Sequence, residues 1–345
     1  MYKLPKKLNI LEPYDPIQGK YEIRLDANES FIKTDYESII CGLKDVDLNR
    51  YPDPYAKRLI HTYCEFYDVN PDLVTAGNGS DELISIISAC FLQKNDKVLC
   101  FSLDFSMYAF YSSLYELEVV VAPKKEDLTI DVDEAIHKIN SENIKAVFFS
   151  NPCNPTSIGL EKDNVIRLIR SVNALVVLDE AYMDFWNEEQ SLLKETEQYN
   201  NLIVLRTCSK ALGMAALRLG FAVSNRIITE KLRAAKSPYN VNTLTQSIAE
   251  YLLRDKQTAA EHIELCKSAK TELFNGLRDL NVPYFDTVYP SVTNFVFIKT
   301  SRAREIFDFL LTKSIAVRYM GGYLRITAGS HEENMSVLDA LKVFK

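Results

Sequence analysis

Short apolar runs separated by amphipathic stretches constrain the fold of this chain more than any other feature of its sequence. They lie at residues 97–101, 119–122, 146–149, 174–178, 201–205 and 219–223. Runs without polar alternation are typical of strands covered on both faces, and their alternation with helical stretches is the rhythm of a largely parallel sheet. The sequence therefore predicts an α/β fold with a mostly parallel sheet in a large domain.

Helical periodicity fills the gaps between the runs. Residues 132–139 carry apolar side chains at helical spacing after Asp131, a suitable N-cap, and residues 164–172 repeat the pattern. After Pro238 the pattern changes to long helices and short strands, which we expect at residues 243–254, 258–280, 294–298, 316–318 and 324–327.

This change of pattern predicts a second, smaller α+β domain. At about 150 residues per domain, a chain of 345 residues has room for two. We predict an N-terminal arm associated with the small domain (residues 1–35), a large cofactor-binding domain (36–255) and a small C-terminal domain (256–345).

Polar side chains follow three of the predicted strands. The run at 146–149 leads to Asn154, the run at 174–178 to Asp179 and Tyr182, and the run at 201–205 to Lys210. In open α/β sheets such strand ends converge on one crevice. A lysine there can condense with an aldehyde if a desolvated pocket or a nearby cation lowers its pKa, and Arg218 is a candidate cation.

A glycine-containing loop, residues 77–80, precedes Asp81, where the pattern of apolar residues that follows predicts the start of a helix. Free N–H groups at a helix start suit a phosphate, although a simple helix cap is the alternative reading. The loop lacks the third glycine of a dinucleotide motif and the Gly-Lys pair of a P-loop. It therefore argues against nicotinamide nucleotide or ATP binding.

Composition narrows the classes of partner. The chain has 40 basic and 47 acidic residues, a net charge of −7, which disfavours nucleic acid and anionic membranes as main partners. It has no apolar stretch long enough to span a bilayer, and residues 1–7 do not resemble a signal peptide, so we expect a cytosolic protein. The 7 cysteines and 4 histidines show neither disulfide nor metal-ligand spacing.

The residues after the strands resemble a known family. Asn154-Pro-Thr156, Asp179-x-x-Tyr182, Ser209-Lys210 and Arg218 resemble the fold type I enzymes that use pyridoxal phosphate, specifically the aminotransferases. Further segments, in family order over nearly the whole chain, resemble the histidinol-phosphate aminotransferases; they are residues 13–14, 25–29, 50–54, 77–82, 238–242, 289–295 and 323–327.

The resemblance implies roles at the ring of pyridoxal phosphate. Lys210 would be the catalytic lysine that binds the cofactor and moves the substrate α-proton. Asp179 would keep the pyridine nitrogen protonated, as the cofactor's electron-sink chemistry requires. Asn154 and Tyr182 would hydrogen-bond the phenolic oxygen, and Phe105, where relatives have tyrosine, would stack on the ring.

The resemblance also implies a phosphate site and a partner. The backbone amides of Ser80 and Asp81, with Ser209 and Arg218, would hold the cofactor phosphate. Tyr51 would reach that phosphate from a second subunit, which implies a homodimer with shared active sites. From the residues alone, an exposed turn residue is the favoured interpretation of Tyr51.

Substrate contacts follow in the same way. Arg325 resembles the arginine that pairs bidentately with a substrate carboxylate. Arg318 and Tyr14 match positions that contact the phosphate of histidinol phosphate, and Asn28 is also assigned to substrate binding. Ser157 in place of glycine, and Ser30-Phe31 after Asn28-Glu29, depart from the family near the substrate entrance.

The resemblance thus implies an enzyme of histidine biosynthesis that exchanges an amine between histidinol phosphate and 2-oxoglutarate with ping-pong kinetics. Two alternatives keep the cofactor and change the substrate: an aromatic amino acid aminotransferase and a threonine-phosphate decarboxylase. A non-catalytic pyridoxal phosphate-binding protein is the third reading.

Overall fold

The computed structural model describes residues 2–5, 7–8, 17–44 and 46–344, in which two β-sheets carry the helices. The strands are β1 (Ile23–Leu25), β2 (Val74–Asn78), β3 (Lys97–Phe101), β4 (Glu118–Ala122), β5 (Ala146–Ser150), β6 (Leu175–Asp179), β7 (Leu202–Thr207), β8 (Leu219–Ser224), β9 (Thr287–Val288), β10 (Phe295–Lys299), β11 (Ile315–Tyr319) and β12 (Tyr323–Thr327). The helices are α1 (Tyr36–Gly42), α2 (Lys57–Tyr67), α3 (Gly79–Cys90), α4 (Met107–Leu114), α5 (Val132–Ser141), α6 (Lys162–Ser171), α7 (Arg226–Ala235), α8 (Thr243–Leu253), α9 (Lys256–Asp279), α10 (Ala303–Thr312) and α11 (His331–Val343).

The larger sheet has the strand order β2-β8-β7-β6-β5-β3-β4. Strands β3 to β7 pair in parallel, while β8 pairs antiparallel with both β7 and β2. Strands β5, β7 and β8 are buried along their whole length because helices and loops cover both faces of the sheet. The predicted α/β fold with a mostly parallel sheet is confirmed.

The two helices predicted from periodicity, at residues 132–139 and 164–172, correspond to α5 and α6. In α5, the side chain of Asp131 accepts a hydrogen bond from the backbone N–H of Glu134, so the predicted N-cap is confirmed. Its buried residues are Val132, Ala135 and Ile139, which form the stripe that faces the core.

The smaller sheet has the order β1-β11-β12-β10-β9. Its core includes Leu25 of β1, Leu273 of α9 and Val337 of α11, so the N-terminal strand and the last helix share one apolar cluster. The predicted helices α8 and α9 and the predicted strands β10, β11 and β12 are confirmed. The exact domain boundaries remain a prediction. Within the part of the chain that is described, helices fall short of the length and apolar character needed to cross a membrane.

Candidate active site

The carboxyl ends of β5, β6 and β7 border a cavity of about 500 Å³. The three strands are neighbours in the sheet, so the residues that follow them meet at one edge. The predicted site residues that line this cavity are Asn28, Ser80, Asp81, Phe105, Asn154, Asp179, Tyr182, Ser209, Lys210, Arg218, Arg318 and Arg325.

Two predicted residues are not in this set. Tyr51 is 81 % exposed and stacks on Tyr239, with ring centroids 4.6 Å apart, away from the cavity of its own chain. Tyr14 lies outside the described residues.

Lys210 lies in the loop after β7, half-buried in the cavity, where its Nζ donates a hydrogen bond to the carbonyl oxygen of Ala27 at 3.0 Å. Burial lowers the pKa of the Lys210 amine to about 8. The positive charge of Arg325 contributes to this lowering, and that of Arg218 contributes to a smaller extent. The cation that most affects the lysine is therefore Arg325, whereas the sequence pointed to Arg218.

Asp179, at the end of β6, is buried beneath the cavity. Its Oδ2 accepts a hydrogen bond from the hydroxyl of Tyr108 at 2.8 Å, and its Oδ1 accepts one from the backbone N–H of Ala181 at 3.1 Å. Burial raises the pKa of this carboxyl group to about 7, although both hydrogen bonds act in the opposite direction. A cationic partner would stabilise the ionised form of such a carboxyl group.

Tyr182 and Asn154 are fixed by residues far away in sequence. The hydroxyl of buried Tyr182 accepts a hydrogen bond from Asn28 Nδ2 at 2.8 Å, and its ring packs edge-on against Phe295. Asn154 Oδ1 accepts a hydrogen bond from Arg325 Nη1 at 2.6 Å. Asn28 therefore contacts Tyr182 directly, a contact in addition to the substrate role predicted for it.

The loop before α3 forms a close-packed cradle at the other end of the cavity. Gly79 has a φ of +78°, and a Cβ there would lie 2.8 Å from the guanidinium of Arg218. A Cβ on Gly220 of β8 would lie 2.5 Å from the backbone nitrogen of Ser80. Both glycines thus keep space beside the first N–H groups of α3, where an anion is favoured.

Arg218 closes this cradle. Its Nη2 lies 3.2 Å from Asp81 Oδ2, and its Nη1 donates to Ser209 Oγ at 3.5 Å. The pair with Asp81 is half-exposed, so it is weak and can be exchanged for a stronger anion. A phosphate would meet the guanidinium, a hydroxyl and backbone N–H groups here.

These features fit pyridoxal phosphate. An amine with a lowered pKa, a buried carboxyl group with a raised pKa and an anion cradle line the same cavity, as an aldehyde, a pyridine nitrogen and a phosphate on one molecule require. Phe105 lines the cavity as well and offers an aromatic face.

Sequence reasoning missed Tyr108 and Asp104. Tyr108 is the hydroxyl donor to Asp179, and Asp104 borders the cavity beside Phe105. Both lie within the segment Leu103–Tyr108, which also contains Phe105, the residue predicted to stack on the ring. Their closeness to Phe105 in the sequence was the signal that could have identified them. Neither pairing could be read from the spacing, because the partner of Tyr108 lies 71 residues away.

A second cavity, of about 740 Å³, lies under α2 and α9. Its floor includes Arg206, which pairs with Glu180 and Asp184 and stacks over Tyr67. We place the chemistry in the smaller cavity, because that is the one lined by Lys210 and Asp179.

The lowered pKa of Lys210 has a kinetic consequence. The rate at which its amine combines with the aldehyde of pyridoxal phosphate should rise about tenfold per pH unit below the pKa, since only the unprotonated amine reacts. It should level off above about pH 8. Stopped-flow absorbance of apoprotein mixed with pyridoxal phosphate measures this rate. Pyridoxamine phosphate, which has no aldehyde, is the control, and a midpoint near the ordinary lysine value of about 10.4 would contradict the assigned environment.

The fold and the cavity together define an aminotransferase that depends on pyridoxal phosphate. The family model for aminotransferase class I and II matches residues 26–341, nearly the whole chain. The chain therefore belongs to the aminotransferase class I and II family.

Comparison with individual proteins identifies more specific relatives within this family. A histidinol-phosphate aminotransferase of Clostridium kluyveri is 39% identical over 96% of this chain and 96% of that protein. One of Clostridium novyi is 39% identical over 98% of this chain and 96% of that protein. A crystal structure of histidinol-phosphate aminotransferase from Sinorhizobium meliloti in complex with pyridoxal-5'-phosphate superposes with a TM-score of 0.89, at 20% identity, covering 99% of this chain and 97% of that one.

Proposed function

We propose that this enzyme exchanges an amine between histidinol phosphate and 2-oxoglutarate, giving imidazole-acetol phosphate and glutamate, in histidine biosynthesis. Relatives of that name at 39% identity over nearly the whole chain support the choice. The observation that carries it is a pair of arginines, Arg318 and Arg325, that line the same cavity as Lys210.

The two arginines lie directly opposite each other on antiparallel strands β11 and β12. Like charges in such cross-strand positions are destabilising, so their pairing at a cavity favours anionic ligands. Arg325 Nη2 already donates to the carbonyl oxygen of Asp26, which aims its guanidinium towards Asn154 and the cavity. We assign the carboxylate of the oxo acid or glutamate to Arg325 and the phosphate of histidinol phosphate to Arg318, with Tyr14 as a second phosphate contact and Asn28 at the substrate.

Bound pyridoxal phosphate supplies an electron sink for the bonds at the substrate α-carbon. Lys210 would hold the aldehyde of the cofactor and would take and return the substrate α-proton, a role that suits an amine with a pKa of about 8. Asp179 would hold the proton on the pyridine nitrogen. Asn154 and Tyr182 would hydrogen-bond the phenolic oxygen, and Phe105 would pack on the ring.

The phosphate of the cofactor fits the cradle formed by the amides of Ser80 and Asp81, by Ser209 and by Arg218. The half-exposed bond between Arg218 and Asp81 would then be replaced by a charge-assisted bond to the phosphate.

A homodimer is the third part of the proposal. Large apolar side chains are exposed along the segment around Tyr51 and along α1 and α8, which pack together; they are Tyr36, Ile40, Leu48, Tyr51, Tyr55, Tyr239, Leu244 and Tyr251. A surface of this kind is typical of an interface. Pairing two chains there would let Tyr51 reach the cofactor phosphate of the other subunit. We expect this dimer to work in the cytosol, with a large domain at residues 36–255, a smaller one at 256–345 and an N-terminal arm at 1–35 that associates with the smaller domain.

A half-reaction tests the substrate. Holoenzyme without any oxo acid is mixed separately with histidinol phosphate, phenylalanine or O-phosphothreonine, and the cofactor absorbance is followed. Conversion by histidinol phosphate at low concentration supports the proposal. A response to phenylalanine alone, or carbon dioxide release from O-phosphothreonine, would replace it.

Replacing Arg318 by alanine tests the phosphate contact. We expect kcat/KM for histidinol phosphate to fall about 10- to 100-fold, the usual effect of one charge-assisted hydrogen bond, while histidinol is affected little. The matched control is Arg304→Ala, which removes an exposed arginine paired with Asp308 on the same domain. Equal losses for the phosphorylated and phosphate-free amines would contradict the assignment.

A further inference from the structure

A buried ion pair beside the cavity, Asp104 and Lys124, has no part in the proposed reaction. Asp104 follows β3 and Lys124 follows β4, the edge strand of the larger sheet. Both side chains are 2 % exposed, and Lys124 Nζ lies 3.6 Å from Asp104 Oδ2. A pair of charges buried this completely is costly to desolvate, so the contacts that it makes need an explanation.

Lys124 connects the ends of three neighbouring strands, β5, β3 and β4. Its ammonium group donates to the carbonyl oxygen of Leu103, after β3, at 3.1 Å and to the Sγ of Cys153, after β5, at 2.8 Å. Its own backbone N–H donates to Ser102 Oγ at 3.0 Å. One ammonium therefore holds the loop after β3 to the loop after β5.

Asp104 extends the connection to the residues that face the cofactor. Its Oδ1 accepts hydrogen bonds from the backbone N–H of Phe105 at 2.8 Å and from the hydroxyl of Ser150 at 2.5 Å. Ser150 Oγ in turn accepts a hydrogen bond from the backbone N–H of Asn154 at 3.0 Å. The residue assigned to ring stacking and the residue assigned to the phenolic oxygen are thus fixed by the same carboxylate.

The contacts suit an ionised Asp104, because Oδ1 accepts from the backbone and hydroxyl donors while Oδ2 faces the ammonium group of Lys124 at 3.6 Å. Burial raises the pKa of Asp104, and Lys124 opposes that effect. The other acids that face the site, Asp179 and Asp81, add negative charge to the same region. Lys124 therefore supplies positive charge that offsets the cost of burying this carboxylate.

We propose that Lys124 is a positioning residue for the cofactor: its ammonium group compensates the buried charge of Asp104 and ties the ends of β3, β4 and β5 so that Phe105 and Asn154 hold the ring. The inference rests on the proposed cofactor roles of Phe105 and Asn154. Lys124 acts through Asp104, and it does not line the cavity itself.

Cofactor binding by apoprotein variants tests this role. We expect Lys124→Met to raise the dissociation constant for pyridoxal phosphate by about tenfold or more, since a small displacement of positioning groups has effects of this size. The visible circular dichroism of the bound cofactor should also change, because it reports how the ring is held. The control is Lys125→Met, which removes the next lysine, an exposed one whose Nζ lies 3.3 Å from Asp131. Lys125→Met should bind the cofactor as the wild type does.

A double variant separates charge compensation from loss of fold. In Asp104→Asn/Lys124→Met the buried charges are both removed while an acceptor oxygen remains for Phe105 and Ser150. We expect its dissociation constant to return to within about threefold of wild type, because replacing a complete buried pair is far less costly than breaking one. If Lys124→Met does not fold, recovery of folding and of cofactor affinity in the double variant gives the same answer.

Two results would overturn the inference. One is a Lys124→Met protein that matches Lys125→Met in cofactor affinity and circular dichroism. The other is a double variant as impaired as Lys124→Met, since Lys124 would then act by a route other than the charge of Asp104. The test is separate from that of the substrate: a wild-type protein that ignores histidinol phosphate, yet shows this pattern of cofactor affinities, would contradict the proposed function and leave the positioning role supported.

Discussion

Replacing Lys210 by alanine is expected to abolish turnover, with kcat reduced by about 10³-fold or more, and to remove the visible absorbance that bound pyridoxal phosphate owes to its bond with the lysine. The reason is that Lys210 is the amine that lines the cavity with its pKa lowered, to about 8. Absorbance after dialysis against pyridoxal phosphate, followed by a single-turnover assay, measures both effects.

The matched control for this experiment is Lys270→Ala. Burial lowers the pKa of Lys270 as well, but its Nζ donates to the carbonyl oxygen of Ser291, and it does not line the cavity. The control should keep its colour and its activity. A Lys210→Ala protein that remained yellow and active would refute the central assignment of the site.

The convergence of Lys210, Asp179 and Asn154 was predictable because it depends on a rule of sheet architecture. Each follows a strand of the larger sheet, and the strands β5, β6 and β7 are parallel neighbours, so their carboxyl ends must meet. The apolar runs and the polar residues after them were visible in the sequence, and local periodicity also gave α5 with its N-cap at Asp131.

Contacts between distant segments were not predictable in this way. The hydrogen bond from Asn28 to Tyr182 joins residues 154 positions apart, and that from Arg325 to Asn154 joins residues 171 positions apart. Such pairs depend on how β12 and the segment that follows β1 lie against the larger sheet, which no local pattern specifies. For the same reason the sequence pointed to Arg218 as the cation near Lys210, whereas Arg325 has the larger effect.

The position of Tyr51 shows a different limit. A side chain that is 81 % exposed in one chain gives no geometric sign of the site it serves in another. The role proposed for Tyr51 depends on the proposed dimer, and so does the role proposed for the exposed aromatic surface around it. Sequence resemblance carries that assignment, and the stacking of Tyr51 on Tyr239 shows that the ring is held in place before any partner binds.

Replacing Asp179 by asparagine should lower kcat about 10²- to 10³-fold, the usual effect of removing one fixed charge from a reacting centre. Asparagine preserves the size of the side chain and can still accept from Tyr108, but it offers no negative charge to a pyridine nitrogen. Single-turnover rates with the amino donor measure the loss. The control is Glu180→Gln, which neutralises the next residue, a buried carboxylate bound to Arg206 that does not line the cavity. It should lower thermal stability and leave the rate of the folded enzyme largely unchanged.

The same substitution, Asp179→Asn, should lower the rate but raise the stability of the apoprotein. The pKa of Asp179 is raised to about 7 in the folded chain, above the unfolded value of about 3.9, so its contribution to stability is complete below about pH 4 and is lost as the pH rises through 7. Asp179→Asn apoprotein should therefore unfold at a higher temperature than wild-type apoprotein above pH 7, and saturating pyridoxal phosphate should reduce or reverse that difference by pairing the wild-type carboxylate with a cation. A residue kept for its charge at the cofactor is expected to cost stability when the cofactor is absent. A variant that is less stable than the wild type at every pH, with or without cofactor, would therefore mean that Asp179 stabilises the fold and does not act on the cofactor ring.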